Sequence, residues 1–241
     1  MSGQPIVVQA KHCELYGGAG GYNMLVGYTN CLFYRAGIGT GTGSRYPYQI
    51  LINCSFYGGN LSFGHSEGSA PYWYSYVHDC AFDNTTFNID DPFGTNTSYA
   101  DYNYNAFDQG AAQLPTEGAN TVIVTNGYNW QTNWLGSFYL PTDSLLIDAG
   151  DRTADQIGLY HFTTQTSQVP ETNSIVDIGY HYVAADGNGN PLDTNGDGVA
   201  DYIEDANGNG LVDSAEIGWN ISGDLGLQVI ITRPRNGGIL P

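Results

Sequence analysis

One short pattern of polar and apolar positions recurs along the first part of the chain. "KHCELY", "TNCLFY", "INCSFY" and "HDCAFD" each place a cysteine (Cys13, Cys31, Cys54, Cys80) after a polar His12, Asn30, Asn53 or Asp79. Two residues beyond each cysteine stands Leu15, Phe33, Phe56 or Phe82. Side chains two apart on an extended chain share one face, so each cysteine and its Leu or Phe point into the same core. The spacings are 18, 23 and 26 residues, with Gly-rich turns between. One short strand per irregular repeat predicts an all-β parallel β-helix, each repeat one coil. Asn30, Asn53 and Asp79 fall at a corner, where an Asx side chain bonds the turn backbone or its counterpart one coil away. Insertions such as "GIGTGTGSRYPYQ" and "GHSEGSAPYWYSY" lie between coils.

From Tyr99 to Trp134 the text turns Asn- and Tyr-rich around one apolar strand, Val122 to Val124. The stack is expected to continue there with longer excursions. Further on, Asp155, Gly158, Tyr160 and His161 recur as Asp177, Gly179, Tyr180 and His181, which reads as the last coils. The expected organisation is a β-helix over 1–184, acidic repeats over 185–220, and a strand at Leu227 to Thr232 opening a further β domain over 221–241.

The acidic repeats carry the most specific spacing. In a calcium loop of the EF-hand kind, positions 1, 3, 5, 9 and 12 offer side-chain oxygens, position 7 a carbonyl, and position 6 is a turn glycine. Asp193, Asn195, Asp197, Gly198, Val199, Asp201 and Glu204 fill that template once. Asp205, Asn207, Asn209, Gly210, Leu211, Asp213 and Glu216 fill it again. Calcium takes hard oxygens at about 2.3–2.6 Å and tolerates irregular geometry, whereas magnesium demands a rigid octahedron. Two or more calcium ions are therefore expected. The second loop begins directly after Glu204, leaving no room for the paired helices of a calcium switch. Asp186, Asn188, Asn190 and Asp193 form a partial lead-in, with Pro191 where the turn glycine belongs. The competing reading is a solvated acidic linker; two complete loops end to end argue against it.

These loops resemble thrombospondin type 3 repeats. The run from "DSLLIDAGDRTADQIGLYHF" through "VDIGYHYVAADGNGNPLDTNGDGVADYIEDANGNG" resembles the carboxy-terminal part of large secreted bacterial right-handed β-helix proteins. Those proteins follow the β-helix with type 3 calcium repeats and immunoglobulin-like domains, and most have no assigned function. The resemblance implies a right-handed helix and an extracellular or cell-surface location.

Composition narrows the partners. With 24 acidic and 6 basic residues the formal charge is -18. Such a surface repels nucleic acid and anionic membranes and attracts divalent cations. No stretch approaches the roughly 18 apolar residues of a membrane span, and "MSGQPIVVQA" lacks a signal-peptide core. The chain is thus expected to be cytosolic or a piece of a longer secreted protein, and weak Asp-rich calcium loops favour the second. The cysteines read as stacked free thiols in preference to disulfides, although four cysteines leave three connectivities open. No CxxC spacing suggests zinc.

Catalytic candidates are thin. The basic residues are scattered, Asp90 and Asp91 would point to opposite faces, and His78 with Cys80 leaves a small opening for a thiol–imidazole pair. No catalytic residue is assigned. The aromatic runs "PYWYSYVH", "YADYNYNAF" and "YNWQTNW" could stack sugars or pack coils, and both readings stand. The expectation is a structural, adhesive or carbohydrate-contacting protein whose partner is a polysaccharide or cell-surface component. The runner-up is a polysaccharide lyase or glycoside hydrolase.

Overall fold

The repeats pair in register. In a computed structural model describing residues 6–18, 24–39, 48–64, 73–90, 98–115, 117–214 and 216–222, β1 (Ile6–Tyr16) and β2 (Met24–Tyr34) run parallel, with Cys13 opposite Cys31 and Leu15 opposite Phe33. After β3 (Gly37–Gly39) each repeat divides into short strands: β4 (Tyr48–Ile52), β5 (Ser55–Tyr57) and β6 (Asn60–Gly64), then β7 (Trp73–His78), β8 (Ala81–Asp83) and β9 (Thr86–Asp90). β10 (Ser98–Asn103), β11 (Ala106–Asp108) and β12 (Val122–Val124) follow. β4, β7 and β10 stack on the first half of β2, while β5, β8, β11 and β12 stack on its second half; β3, β6 and β9 form a separate sheet. The protein is all-β with parallel sheets, as the repeat pattern predicts.

The strands break at one aligned corner. His12, Asn30, Asn53, Asp79 and Tyr104 all take left-handed backbone, with φ of 54°, 51°, 49°, 57° and 55°. Asn and Asp tolerate that region better than most side chains. On the inner face the rings of Phe33, Phe56, Phe82 and Phe107 stack at successive centroid spacings of 4.5, 5.1 and 5.2 Å. Each such buried ring is worth about 1.5–3 kcal/mol. Cys31, Cys54 and Cys80 lie fully buried in the same core.

All four thiols are unbridged. Their Sγ atoms donate to backbone carbonyls two residues back, Cys31 to Thr29 at 3.4 Å, Cys54 to Ile52 at 3.4 Å and Cys80 to His78 at 3.2 Å. The thiol–imidazole pair is not formed. The His78 ring instead stacks on Tyr76 at 4.0 Å and holds Asp101 Oδ1 at 3.0 Å.

The expected last coils are not coils. β13 (Gln131–Asn133) pairs antiparallel with β14 (Gly136–Tyr139), and β15 (Phe162–Thr163) pairs antiparallel with β16 (Tyr182–Val183). This part of the chain lies as a strap over the outward face of the stack. Leu32 packs against Phe138, Tyr139, Tyr180 and Tyr182, and Ala81 and Ala106 pack against Leu140, Leu146 and Ile178. The reason is in the outward residues themselves: Leu32, Ser55, Ala81 and Ala106 are small or apolar and need cover.

The corner side chains hold the strap. Asn30 accepts from the His181 N–H at 2.7 Å and donates to its carbonyl at 2.9 Å. Asn53 donates to the Asp177 carbonyl at 3.1 Å, and Asp79 Oδ1 accepts from the Asp151 N–H at 2.8 Å. Bonds to the neighbouring rung also occur, as when Asn105 Nδ2 donates to the Val77 carbonyl at 2.7 Å. The expected strand at Leu227 to Thr232 and most of both insertions lie outside the described residues.

Candidate functional site

The two acidic loops share the same turns at their third, fifth and sixth positions. Asp193 accepts from the N–H groups of Gly196 at 2.8 Å and Gly198 at 2.9 Å; Asp205 accepts from those of Asn209 at 3.2 Å and Gly210 at 2.6 Å. The third-position amide oxygens of Asn195 and Asn207 accept from Asp197 and Asn209 N–H at 2.9 and 3.0 Å. The fifth-position oxygens of Asp197 and Asn209 accept from Val199 and Leu211 N–H, both at 2.8 Å. Both turn glycines are left-handed, Gly198 at φ 93° and Gly210 at 76°, which a side chain at either place would strain.

The late positions close each loop. Asp201 and Glu204 bound α1 (Asp201–Glu204), a single turn. Asp201 accepts from Thr194 N–H and hydroxyl, both at 2.7 Å, and Glu204 accepts from Asn195 Nδ2 at 3.2 Å. In the second loop Asp213 accepts from Asn207 and Asn209 Nδ2 at 2.7 and 3.0 Å, and Glu216 from Asn207 and Asp213 N–H at 3.3 and 3.0 Å.

Whether a cation suits the donors is a question of charge. Asp201 and Glu204 are 2% and 3% exposed with no basic partner among the described residues, and burying carboxylates without a counter-charge is costly; Asp205, 1% exposed, has His161 Nε2 at 2.9 Å. Asp197 Oδ2 is buried with no hydrogen-bond partner among the described residues. Burial first, then the charges of Asp197, Asp201 and Asp193, push the Glu204 carboxyl above its ordinary range. Hard oxygens, excess negative charge and alternating turns fit calcium. Among the described residues no three His, Cys, Asp or Glu side chains are already drawn together as ligands of one ion, since amides and backbone N–H groups intervene. In the lead-in, Asp186 Oδ1 accepts from Asn188 and Asn190 N–H at 2.8 and 2.9 Å.

The loops are docked on the body. His161 Nε2 meets Asp205 Oδ2 at 2.9 Å, the Tyr160 N–H donates to the Gly208 carbonyl at 3.1 Å, and Trp219 meets His161 edge-on at 4.7 Å. Tyr202 packs against the core of Ala154, Leu159, Phe162 and Val176. His161 and His181 thus do more than pack: His181 Nε2 lies 3.4 Å from Glu171 Oε1. Comparison with family models, curated proteins and solved structures gave no match to the chain.

A second site emerges three residues after each cysteine. Tyr16 lies opposite Tyr34, Tyr34 opposite Tyr57, and Tyr57 opposite Asp83. Asp108 follows one rung on, beside the paired Phe82 and Phe107. These five residues line a groove of about 850 Å³ with Tyr128, Trp130 and Phe138. Tyr34 and Tyr57 stack at 5.3 Å, Phe138 meets both edge-on, and Trp130 stacks on Tyr128 at 5.0 Å. Asp83 accepts from Trp130 Nε1 at 2.7 Å and Asn84 Nδ2 at 2.8 Å; Asp108 accepts from Asn84 N–H at 2.9 Å. Burial, and then the charge of Asp108, raises the Asp83 carboxyl.

Among the described residues of the three aromatic runs, those of "YNWQTNW" alone line this groove. Tyr102 of "YADYNYNAF" is buried in the core, and Tyr74 of "PYWYSYVH" stacks on Tyr48. Asp90 ends β9, while Asp91 lies outside the described residues. Arg152 is not isolated: Nη2 donates to Asp151 Oδ2 at 2.7 Å and Tyr76 Oη at 2.8 Å. Among the described residues no helix is long and apolar enough to cross a membrane.

Proposed function

We propose that the stacked rungs form a right-handed parallel β-helix of an extracellular or cell-surface protein, with a structural or adhesive role. Its acidic loops bind at least two calcium ions, and its groove contacts carbohydrate. The reading of the loops rests on one observation: two consecutive loops repeat the same Asx turns and left-handed glycines, and Asp201 and Glu204, which close the first, are buried with no basic partner among the described residues. Calcium neutralises them and fixes the loops against His161, Tyr160 and Trp219. Its role is stiffness, because a single turn between the loops offers no helix pair to reorient. Millimolar extracellular calcium would saturate weak sites of this composition.

A second reading, a glycoside hydrolase, draws on Asp83 and Asp108 in one groove. Against it, both Asp83 oxygens already accept hydrogen bonds from Trp130 and Asn84. The test is calorimetric titration of calcium into chelator-treated protein, with melting followed in parallel. Two or more sites with a rise in melting temperature support the clamp. No heat and no shift would reduce the loops to an acidic linker.

A further inference from the structure

The groove changes character along its length. At one end stand the tyrosines of three rungs; at the other Asp83 and Asp108 occupy the same rung position. Because Tyr34 and Tyr57 stack face to face with their planes 5° apart, they cover one another. What they offer a ligand is ring edge and hydroxyl. Trp130, laid on Tyr128 and pinned through Nε1 to Asp83, forms the wall at the acidic end. At the tyrosine end the Tyr16 hydroxyl donates to Glu14, which lies outside the lining, at 2.7 Å.

Among the described residues no lysine, arginine or histidine lines the groove. Arg35 rides 5.3 Å over the Tyr34 ring, outside that lining. Ionised carboxylates only accept hydrogen bonds, so the acidic end requires a ligand rich in donors. A uronate, sulfated or phosphorylated polymer would meet like charge here, on a chain already carrying -18. An ammonium group set by Asp108 would relieve the repulsion between the two stacked aspartates. Spaced hydroxyls along the tyrosine edge suit the rest of a pyranose chain.

Resting on the carbohydrate reading of this groove, we propose that its ligand is a cationic glycan, a chain of hexosamine units with free amino groups. Asp108 takes the ammonium, while Asp83 acts at one remove by positioning Trp130.

Calcium-loaded protein is titrated with a glucosamine hexamer at mildly acidic pH, and in parallel with the N-acetylated hexamer, an oligogalacturonate and hexalysine. The amino hexamer is expected to bind about tenfold or more tightly than its acetylated form, with the difference shrinking as salt rises. Asp108→Asn, on the more open of the two carboxylates, should abolish that difference while leaving the melting temperature within a degree or two. Tyr57→Ala should weaken both hexamers together. Equal binding of the two hexamers, or tighter binding of the oligogalacturonate, overturns the charge assignment and leaves the carbohydrate reading intact. Hexalysine binding as tightly as the amino hexamer overturns the glycan assignment. If none of the three sugars binds, the carbohydrate reading falls as well.

Discussion

Asp79 stands where neighbouring rungs carry Asn30 and Asn53, and that difference has a measurable consequence. The residue is 0% exposed. One oxygen accepts from the Asp151 N–H at 2.8 Å; the other, Oδ2, has no partner among the described residues. Burial dominates over that hydrogen bond and raises the carboxyl from 3.8 to about 6. Of the charged groups around it, Asp151 adds to the rise, and His78 and Arg152 oppose it. A raised folded pKa means that this group's stabilising contribution is complete below the unfolded value and lost as pH climbs through the folded one. The window is therefore about pH 4 to 6. Two pK units at about 1.36 kcal/mol each give a penalty of roughly 3 kcal/mol near neutral pH.

Asp79→Asn keeps the shape, the left-handed preference and an oxygen for the Asp151 N–H, and removes the charge. The variant should gain roughly 2–3 kcal/mol over the parent at neutral pH and nothing below the unfolded carboxyl range. For a chain of this size each kcal/mol moves the melting point by about 2–4 °C, so a rise of roughly 4–12 °C is expected. Thermal melts of both proteins across the acid-to-neutral range, in saturating calcium, measure the difference directly. A constant offset would reflect backbone preference alone, and a loss of stability at every pH would mean the charged form is the one the strap requires. Either result refutes the argument.

Other expected outcomes are briefer. Asp197→Asn, in the first loop, should weaken one calcium event in calorimetry and spare the other; at a hundredfold excess of calcium over Kd each intact site is worth about 2.7 kcal/mol. Alkylation without reductant should label all four cysteines once the protein is unfolded and none of the buried three in the native state, read by intact mass. Gly179→Ala should cost about 2–4 kcal/mol in denaturant melts. Its left-handed φ of 111° is one reason, and a Cβ placed 2.7 Å from Ser55 Oγ is the other.

The rungs were legible because one inward position repeated as cysteine and the next inward position as a large apolar residue. The turns of the acidic loops were legible because Asx residues and glycines recur there at fixed spacing. The strap was not. Its likeness to a coil lay in Asp, Gly, Tyr and His recurring near 155 and 177, yet Asp155 sits in a 3-10 turn while Asp177 is buried against the Asn53 corner. What distinguishes a strap from a coil is the partner, and partners 124 residues apart leave no local trace. A clue did exist on the other side of the contact: Leu32, Ser55 and Ala81, between inward Cys and Phe, and Ala106, between Asn105 and Phe107, carry no charge where a water-facing strand would. The groove was missed for a related reason. One aromatic run, "YNWQTNW", does supply Tyr128 and Trp130, but the facing wall comes from single tyrosines and aspartates at one rung position, three residues past a cysteine or past Asn105.

Free thiols and an extracellular location pull in opposite directions, since oxidising compartments favour disulfides. The conflict eases once reactivity is considered. Thiolate is the reacting species, and burial pushes the Cys54 thiol well above its ordinary value. Cys31 is raised too, mainly through its contact with Cys54 and then by burial. Each Sγ donates to a backbone carbonyl, so its proton is already committed within the rung. Stacked on parallel strands, these cysteines form a column of small apolar side chains in the core that also holds the Phe stack, and a bridge would fix a geometry that the register already fixes. Mechanical tying falls instead to the corner amides and, in the proposed reading, to calcium. The corner amides hold the strap to the rungs, whereas the ion would hold the acidic loops to the strap through Asp205 and His161. Removing calcium should therefore loosen the chain from Asp186 onward before it disturbs the Phe stack.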